Sequence, residues 1–185
     1  MRDSSTGNDY LHATFQYYND YWGFEGAQTS GHLAKVTANT NLDDGEWRHL
    51  AYTMRGGTDG SDNLKQYING VLTSTADTAN NNSMSPEFIW IGARYYSNGI
   101  KDTWDGNIAG VGIWQGELTQ DQIQAHMNTT LSGDESGLVG YWNFNDGEGS
   151  TLTDLSGNGN DGTIYGASWS TDVPTPPDNN HSLSF

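Results

Sequence analysis

Apolar and polar residues alternate at a period of two along much of the chain, in short runs separated by Gly, Asn, Asp and Ser. That period sends successive side chains to opposite faces, so each run predicts a strand with one buried and one wet face. Residues 10–15 (YLHATF) and 21–24 (YWGF) read as aromatic strands turning near Asn19-Asp20, and 32–36 (HLAKV) as a weaker one. In 46–54 (EWRHLAYTM) Trp47, Leu50 or His49, Tyr52 and Met54 compete for the inner face. A turn at 56–60 (GGTDG) leads to 64–68 (LKQYI), then Asn69-Gly70, then 71–73 (VLT). Asn-Gly between two such runs predicts a type I′ hairpin, because both central residues must adopt positive φ. Further strands are expected at 87–93 (EFIWIGA), at 103–114 (TWDGNIAGVGIW, glycine-rich in its middle), at 141–144 (YWNF) and at 162–167 (GTIYGA).

The period shifts once. Thr119-Gln120-Asp121-Gln122 has the form of a capping box, Thr119 at the N-cap and Gln122 three residues on, followed by Ile123, Met127 and Leu131 on one side. One short helix near 119–128 is therefore expected in an otherwise all-β chain. Many short strands joined by tight turns imply a two-sheet antiparallel β-sandwich.

Composition makes that core feasible. The hydrophobic fraction is only 34%, but 7 Trp, 10 Tyr and 5 Phe among 185 residues each bring a large buried area. That length suits one domain, or one plus part of another. Cysteine is absent, which excludes disulfide stapling and thiol chemistry without naming a compartment. Residues 1–5 do not read as a signal peptide, and no apolar run approaches the ~20 residues needed to span a membrane. With 23 acidic against 7 basic residues, the net charge of −16 repels phosphate backbones and argues against nucleic acid as a partner. The same field concentrates cations and favours solubility in salt.

Two segments hold candidate chemistry. Asp154, Asn158, Asn160 and Asp161 bring oxygen-bearing side chains into one tight loop, as a calcium site requires. The competing reading is that Asp and Asn side chains hydrogen-bond the turn backbone. The second segment, 94–104, contains Arg94, Tyr95, Tyr96, Asn98, Asp102 and Trp104, and two of the chain's seven cations. Sugar rings stack their C–H faces on flat aromatics while their hydroxyls bond to Arg, Asn and Asp, so this segment is the glycan-site candidate. Consecutive tyrosines on a strand face opposite ways, so at least one should be exposed unless both cover the sandwich edge. Tyr17, Tyr18, Tyr21 and Trp22 make a second aromatic group, and Asp59, Asp62 and Asn63 a second acidic one that reads as a solvated hairpin loop. Trp47, Trp90, Trp114 and Trp142 lie on strong alternating runs and are expected in the core.

Residues 138–167, LVGYWNFNDGEGSTLTDLSGNGNDGTIYGA, resemble the YWxF…DxSGNGxDG signature of laminin-G-like jelly-roll domains, which belong to the concanavalin A-like lectin/glucanase superfamily. WRHLAYT, YING, IWIGA, WDGNIAGVGIWQGELTQDQI and GDESGLVGYWNF are similar, in order, to that family's successive strands and its short helix, carrying the resemblance from Trp47 to Trp169. It implies a jelly roll in a larger secreted or cell-surface protein, more often a binder of polysaccharide or surface glycan than an enzyme. It also strengthens the calcium expectation. One departure is Ala109-Gly110, where the family usually carries an acidic pair. Another is HSLSF at 181–185, which looks like the opening strand of such a jelly roll. The organisation read from the chain is thus a sandwich over 1–170, a Pro-rich linker over 171–180, and a strand at 181–185 that completes this domain or begins a further repeat.

Catalysis is not expected. The superfamily's glucanases place carboxylates on one strand in patterns such as ExDxxE, which suits a retaining pair about 5 Å apart. No such triplet occurs, and the nearest paired acids, Asp43-Asp44 and Asp134-Glu135, stand in turn-like contexts. The five histidines are scattered, with neither HExxH nor GxSxG. The readings left are a carbohydrate-binding or adhesive module and a structural spacer of a repeat-built extracellular protein.

Overall fold

A computed structural model describes residues 10–18, 21–28, 31–38, 44–55, 64–77, 89–96, 99–101, 103–174 and 181–185. They form mostly strands, one short helix and several sheets, every strand pair antiparallel. The chain divides into two compact units, Met1–Thr103 and Trp104–Phe185.

In the first unit, β1 (Tyr10–Tyr18), β2 (Tyr21–Gln28) and β3 (Gly31–Ala38) make a three-stranded meander, longer at each strand than the aromatic runs alone suggest. A second meander joins β4 (Leu50–Met54), β5 (Leu64–Ile68) and β6 (Val71–Ala76), with β3 lying against β5 and β6. Its register sets Met54 across from Leu64 and Leu64 across from Ala76. Tyr52, Met54 and Ala76 consequently pack on Leu64, which is almost fully buried. The Asn69-Gly70 turn forms as expected, with φ of 50° and 71°. Asn69 is tied to the residue just before β4 twice: its N–H donates to the His49 carbonyl (2.8 Å) and its side-chain oxygen accepts from the His49 N–H (2.9 Å). A short hairpin, β7 (Arg94–Tyr96) with β8 (Gly99–Lys101), completes this unit's described strands.

Within EFIWIGA, residues 89–93 are irregular rather than a strand. Gly92 takes φ 73°, which turns the chain out of the extended region. Apolar character alone cannot separate a strand from a buried irregular segment.

The second unit holds β9 (Asn107–Ile108), β10 (Val111–Trp114), α1 (Gln120–Met127), β11 (Leu138–Trp142), β12 (Thr151–Leu152), β13 (Gly162–Thr163), β14 (Ser168–Ser170) and β15 (Ser182–Ser184). The capping box is complete: the Gln122 N–H donates to the Thr119 hydroxyl (3.3 Å) and the Thr119 N–H to Gln122 Oε1 (2.8 Å). Ile123 anchors the helix as its buried residue, and His126 stacks on Trp114 at 5.3 Å between ring centroids. β10 pairs with β11. Trp142 folds back over Gly140 so closely that a Cβ there would lie 2.5 Å from the indole, which explains a glycine in mid-strand. Of the four tryptophans expected inside, Trp142 is buried and Trp47, Trp90 and Trp114 are half-buried.

Residues 181–185 pair within their own unit. β15 is the middle strand of β14-β15-β9, with Leu183 opposite Trp169 on one side and Ile108 on the other. Ser182 and Leu183 are buried, and the Ser182 hydroxyl donates to the Asp172 carbonyl at 2.6 Å. Of the Pro-rich segment, residues 175–180 lie outside the described residues.

Candidate functional site

The glycan-site candidates are spread over a hairpin and the segment after it. Arg94, Tyr95 and Tyr96 are the three residues of β7, with Arg94 across from Lys101, Tyr95 from Ile100 and Tyr96 from Gly99. Two of the chain's seven cationic residues therefore share one cross-strand register position. Asn98 and Asp102, like the side-chain placement of Arg94, Tyr95 and Tyr96, lie outside what the structure describes, as do Asp59, Asp62 and Asn63. Trp104 opens the second unit and is half-buried, with its indole near Gly106. Among described residues a further exposed aromatic is Tyr165, 69% exposed between β13 and β14, which the sequence reading had only as part of a strand.

The other candidate set, Asp154, Asn158, Asn160 and Asp161, is brought together. β12 and β13 close the loop at its base, pairing Thr151 with Thr163 and Leu152 with Gly162. Asp154 is buried at its centre. Its Oδ1 accepts the N–H groups of Tyr141 (3.0 Å) and Ser156 (2.9 Å), and its Oδ2 that of Asn160 (2.8 Å). Burial alone would raise its pKa. The hydrogen bonds from Tyr141, Ser156 and Asn160 outweigh that and hold it at about 2, so the carboxylate is charged at neutral pH. Asp161 Oδ1 accepts the Asp154 N–H at 2.9 Å.

The asparagines present nitrogen, not oxygen, to their partners. Asn158 Nδ2 donates to the Leu138 (3.2 Å) and Val139 (3.1 Å) carbonyls, and Asn160 Nδ2 to the Val139 carbonyl (2.9 Å). Calcium needs about six to eight converging oxygens. Here the central carboxylate is surrounded by N–H donors. Among the described residues no group of three or more His, Cys, Asp and Glu could hold a metal ion. As placed, these side chains do not fit a calcium cage.

Two residues the sequence reading did not single out for this loop belong to it. The Ser156 hydroxyl donates to the Val139 carbonyl at 3.1 Å, and the Trp142 indole N–H to the Asn160 carbonyl at 3.0 Å. The Asp154-Leu155-Ser156 spacing was the available signal for Ser156, since Asp readily accepts the N–H two residues on. Other acidic groups are also spent on the backbone. Asp146 accepts from the Thr153 N–H (3.3 Å) and hydroxyl (2.6 Å), and Glu135 from the N–H groups of Ser132 (2.7 Å) and Gly133 (3.0 Å). Asp44 pairs with Arg48 and caps the Glu46 N–H.

A laminin-G-type family model, described as the concanavalin A-like lectin/glucanases superfamily, matches residues 1–124. No curated protein and no solved structure matches the chain. The match takes in all of 94–104 and ends before the 138–167 stretch that carried most of the resemblance in sequence. It covers 124 of 185 residues, and the chain belongs to that superfamily.

Proposed function

We propose that this superfamily member is a non-catalytic, carbohydrate-binding module of a larger secreted or cell-surface protein, folded as a two-sheet jelly roll, with its glycan site on the β7–β8 hairpin. The observation that carries the proposal is the position of that hairpin. It lies inside the region matching a superfamily named for lectins and glucanases, and the register of β7 with β8 concentrates Arg94, Tyr95, Tyr96 and Lys101 on one short hairpin. Aromatic and cationic residue types gathered on one short hairpin suit a sugar, whose faces are apolar and whose rim is hydroxylated. The binding reading is supported over the hydrolytic one by how the described acids are used. Asp44, Glu135, Asp146 and Asp154 hold backbone groups or an arginine in place, which leaves them poorly suited to act as nucleophile or acid.

Neutral glucans, galactans or mannans are the first ligands to try, because a net charge of −16 opposes an anionic polysaccharide. The test is affinity electrophoresis through gels containing each polymer, with an anionic polysaccharide in parallel. A neutral polymer should retard the chain, and Tyr95→Ala combined with Tyr96→Ala should abolish the retardation while leaving the melting curve in place. Full retardation of the double variant would move the site elsewhere, and release of reducing ends during incubation would overturn the non-catalytic reading. No retardation by any polymer would favour a structural spacer.

A further inference from the structure

The loop closed by β12 and β13 does more than turn the chain. β11 is bonded to β10 along one edge, and on its other edge Val139 and Tyr141 find their partners in residues 154–161. The Tyr141 N–H goes to Asp154, and the Tyr141 carbonyl takes the Leu155 N–H at 2.7 Å. The Val139 carbonyl takes donors from Ser156, Asn158 and Asn160. One backbone bond and several side-chain bonds thus stand where a neighbouring strand would supply a ladder. An open strand edge invites pairing with other chains, and covering it is a recognised protection. The loop reaches this edge already organised: β12–β13 fixes its ends, Asp154 gathers the N–H groups of Ser156 and Asn160, and Asp161 holds the N–H of Asp154.

We propose that residues 154–161 are a metal-independent clasp, in which Asp154 collects N–H groups at the point where a calcium loop would hold a cation, and Ser156, Asn158 and Asn160 act as a side-chain strand on the open edge of β11. Three of the roughly four lone-pair sites of the Asp154 carboxylate already take N–H donors, so metal binding and the clasp compete for this group. The asparagines make the division of labour visible. Their amide nitrogens face carbonyl groups, which an aspartate in either place could not bond.

The test uses the full chain and the assigned NMR resonance of the Trp142 indole N–H, which donates to the Asn160 carbonyl and so reports the loop. Melting temperature and this resonance should be identical in millimolar calcium chloride and in excess EGTA. Asp154→Asn and, separately, Asn160→Ala should each lower the melting temperature by the same amount in both solutions. Asn160→Ala keeps every carboxylate, so it stays informative if Asp154→Asn fails to fold. A calcium-dependent rise in the wild-type melting temperature that vanishes in Asp154→Asn would overturn the proposal. A rise that persists in Asp154→Asn would place calcium away from the loop and leave the clasp standing.

Discussion

The β4–β5–β6 meander and the 138–161 segment are both strand-and-turn structures, yet different parts of the chain hold them together. In the meander each strand bonds to the next through its backbone, and most side chains have only to pack, as Tyr52, Met54 and Ala76 do on Leu64. In 138–161, among the described residues, only one edge of β11 has a strand beside it. The other is held by particular side chains: a carboxylate, a hydroxyl and two amides. A ladder tolerates exchange of one apolar residue for another of similar size. A set of side-chain bonds fails at the residue that gathers them. Polar substitutions should therefore be severe in 138–161 and mild in the meander.

The largest effect is expected from Phe144→Ala. The Phe144 ring is wholly buried just past β11, on a backbone with φ 59°, an uncommon conformation for a bulky residue. Loss of the ring should cost about 3–5 kcal/mol in urea denaturation. A cost below about 1 kcal/mol would mean that the surrounding side chains close over the vacated space.

Asp154→Ala comes next. It strands the buried N–H of Tyr141 and the part-buried N–H groups of Ser156 and Asn160, and the first dominates a total of about 2 kcal/mol. Hydrogen exchange should accelerate at those three amides while β4–β5 amides keep their protection. Equal acceleration in both regions would erase the contrast.

Acid sharpens the same contrast. Because the folded pKa of Asp154 lies at about 2, below its ordinary 3.8, the group binds protons more weakly folded than unfolded. Its contribution is complete above about pH 4 and is lost as pH falls toward 2. Glu135, whose pKa burial would raise, is held lower by hydrogen bonds from Ser132 and Gly133 and adds in the same direction. Asp161, on the Asp154 N–H, is the other carboxylate of the loop, and Asp146, on Thr153, stands beside it. Tyr141, raised by burial, stays neutral throughout. Acid melts should show Asp154→Asn losing less stability than wild type between pH 4 and pH 2. Parallel curves would remove Asp154 as the titrating group.

The smallest effect belongs to the meander. Gln66 is fully buried, its Nε2 donates to the Tyr52 hydroxyl at 3.1 Å, and its Oε1 has no hydrogen-bond partner among the described residues. Burial pushes the Tyr52 hydroxyl up to about 12, with the Gln66 bond as a smaller opposing effect, so this pair is neutral and carries no charge to strand. Gln66→Met should change stability by less than about 1 kcal/mol, because it removes an unsatisfied oxygen along with one neutral bond. A loss above 2 kcal/mol in thermal denaturation would show that the meander also depends on individual polar groups.

What the sequence determined by itself was local. Alternation located β4, β5 and β6, Asn69-Gly70 supplied a hairpin turn because few other pairs accept positive φ twice, and Thr119 with Gln122 announced α1 because both partners of a capping box lie within one turn. The residues of the 154–161 loop were also legible as a group. Whether they faced a cation or a backbone was decided by tertiary structure, since their partners at Leu138, Val139 and Tyr141 lie 13 to 21 residues away. The same holds for HSLSF, whose composition suits any short strand. Its place between β9 and β14 follows from edges formed by Asn107–Ile108 and Ser168–Ser170, the first far upstream in the chain. EFIWIGA shows the converse: its apolar run gave no sign that Gly92 would turn the backbone. Period and turn chemistry act over a few residues, whereas an unpaired strand edge selects its partner from the whole chain, by whichever donors and acceptors the fold delivers to it.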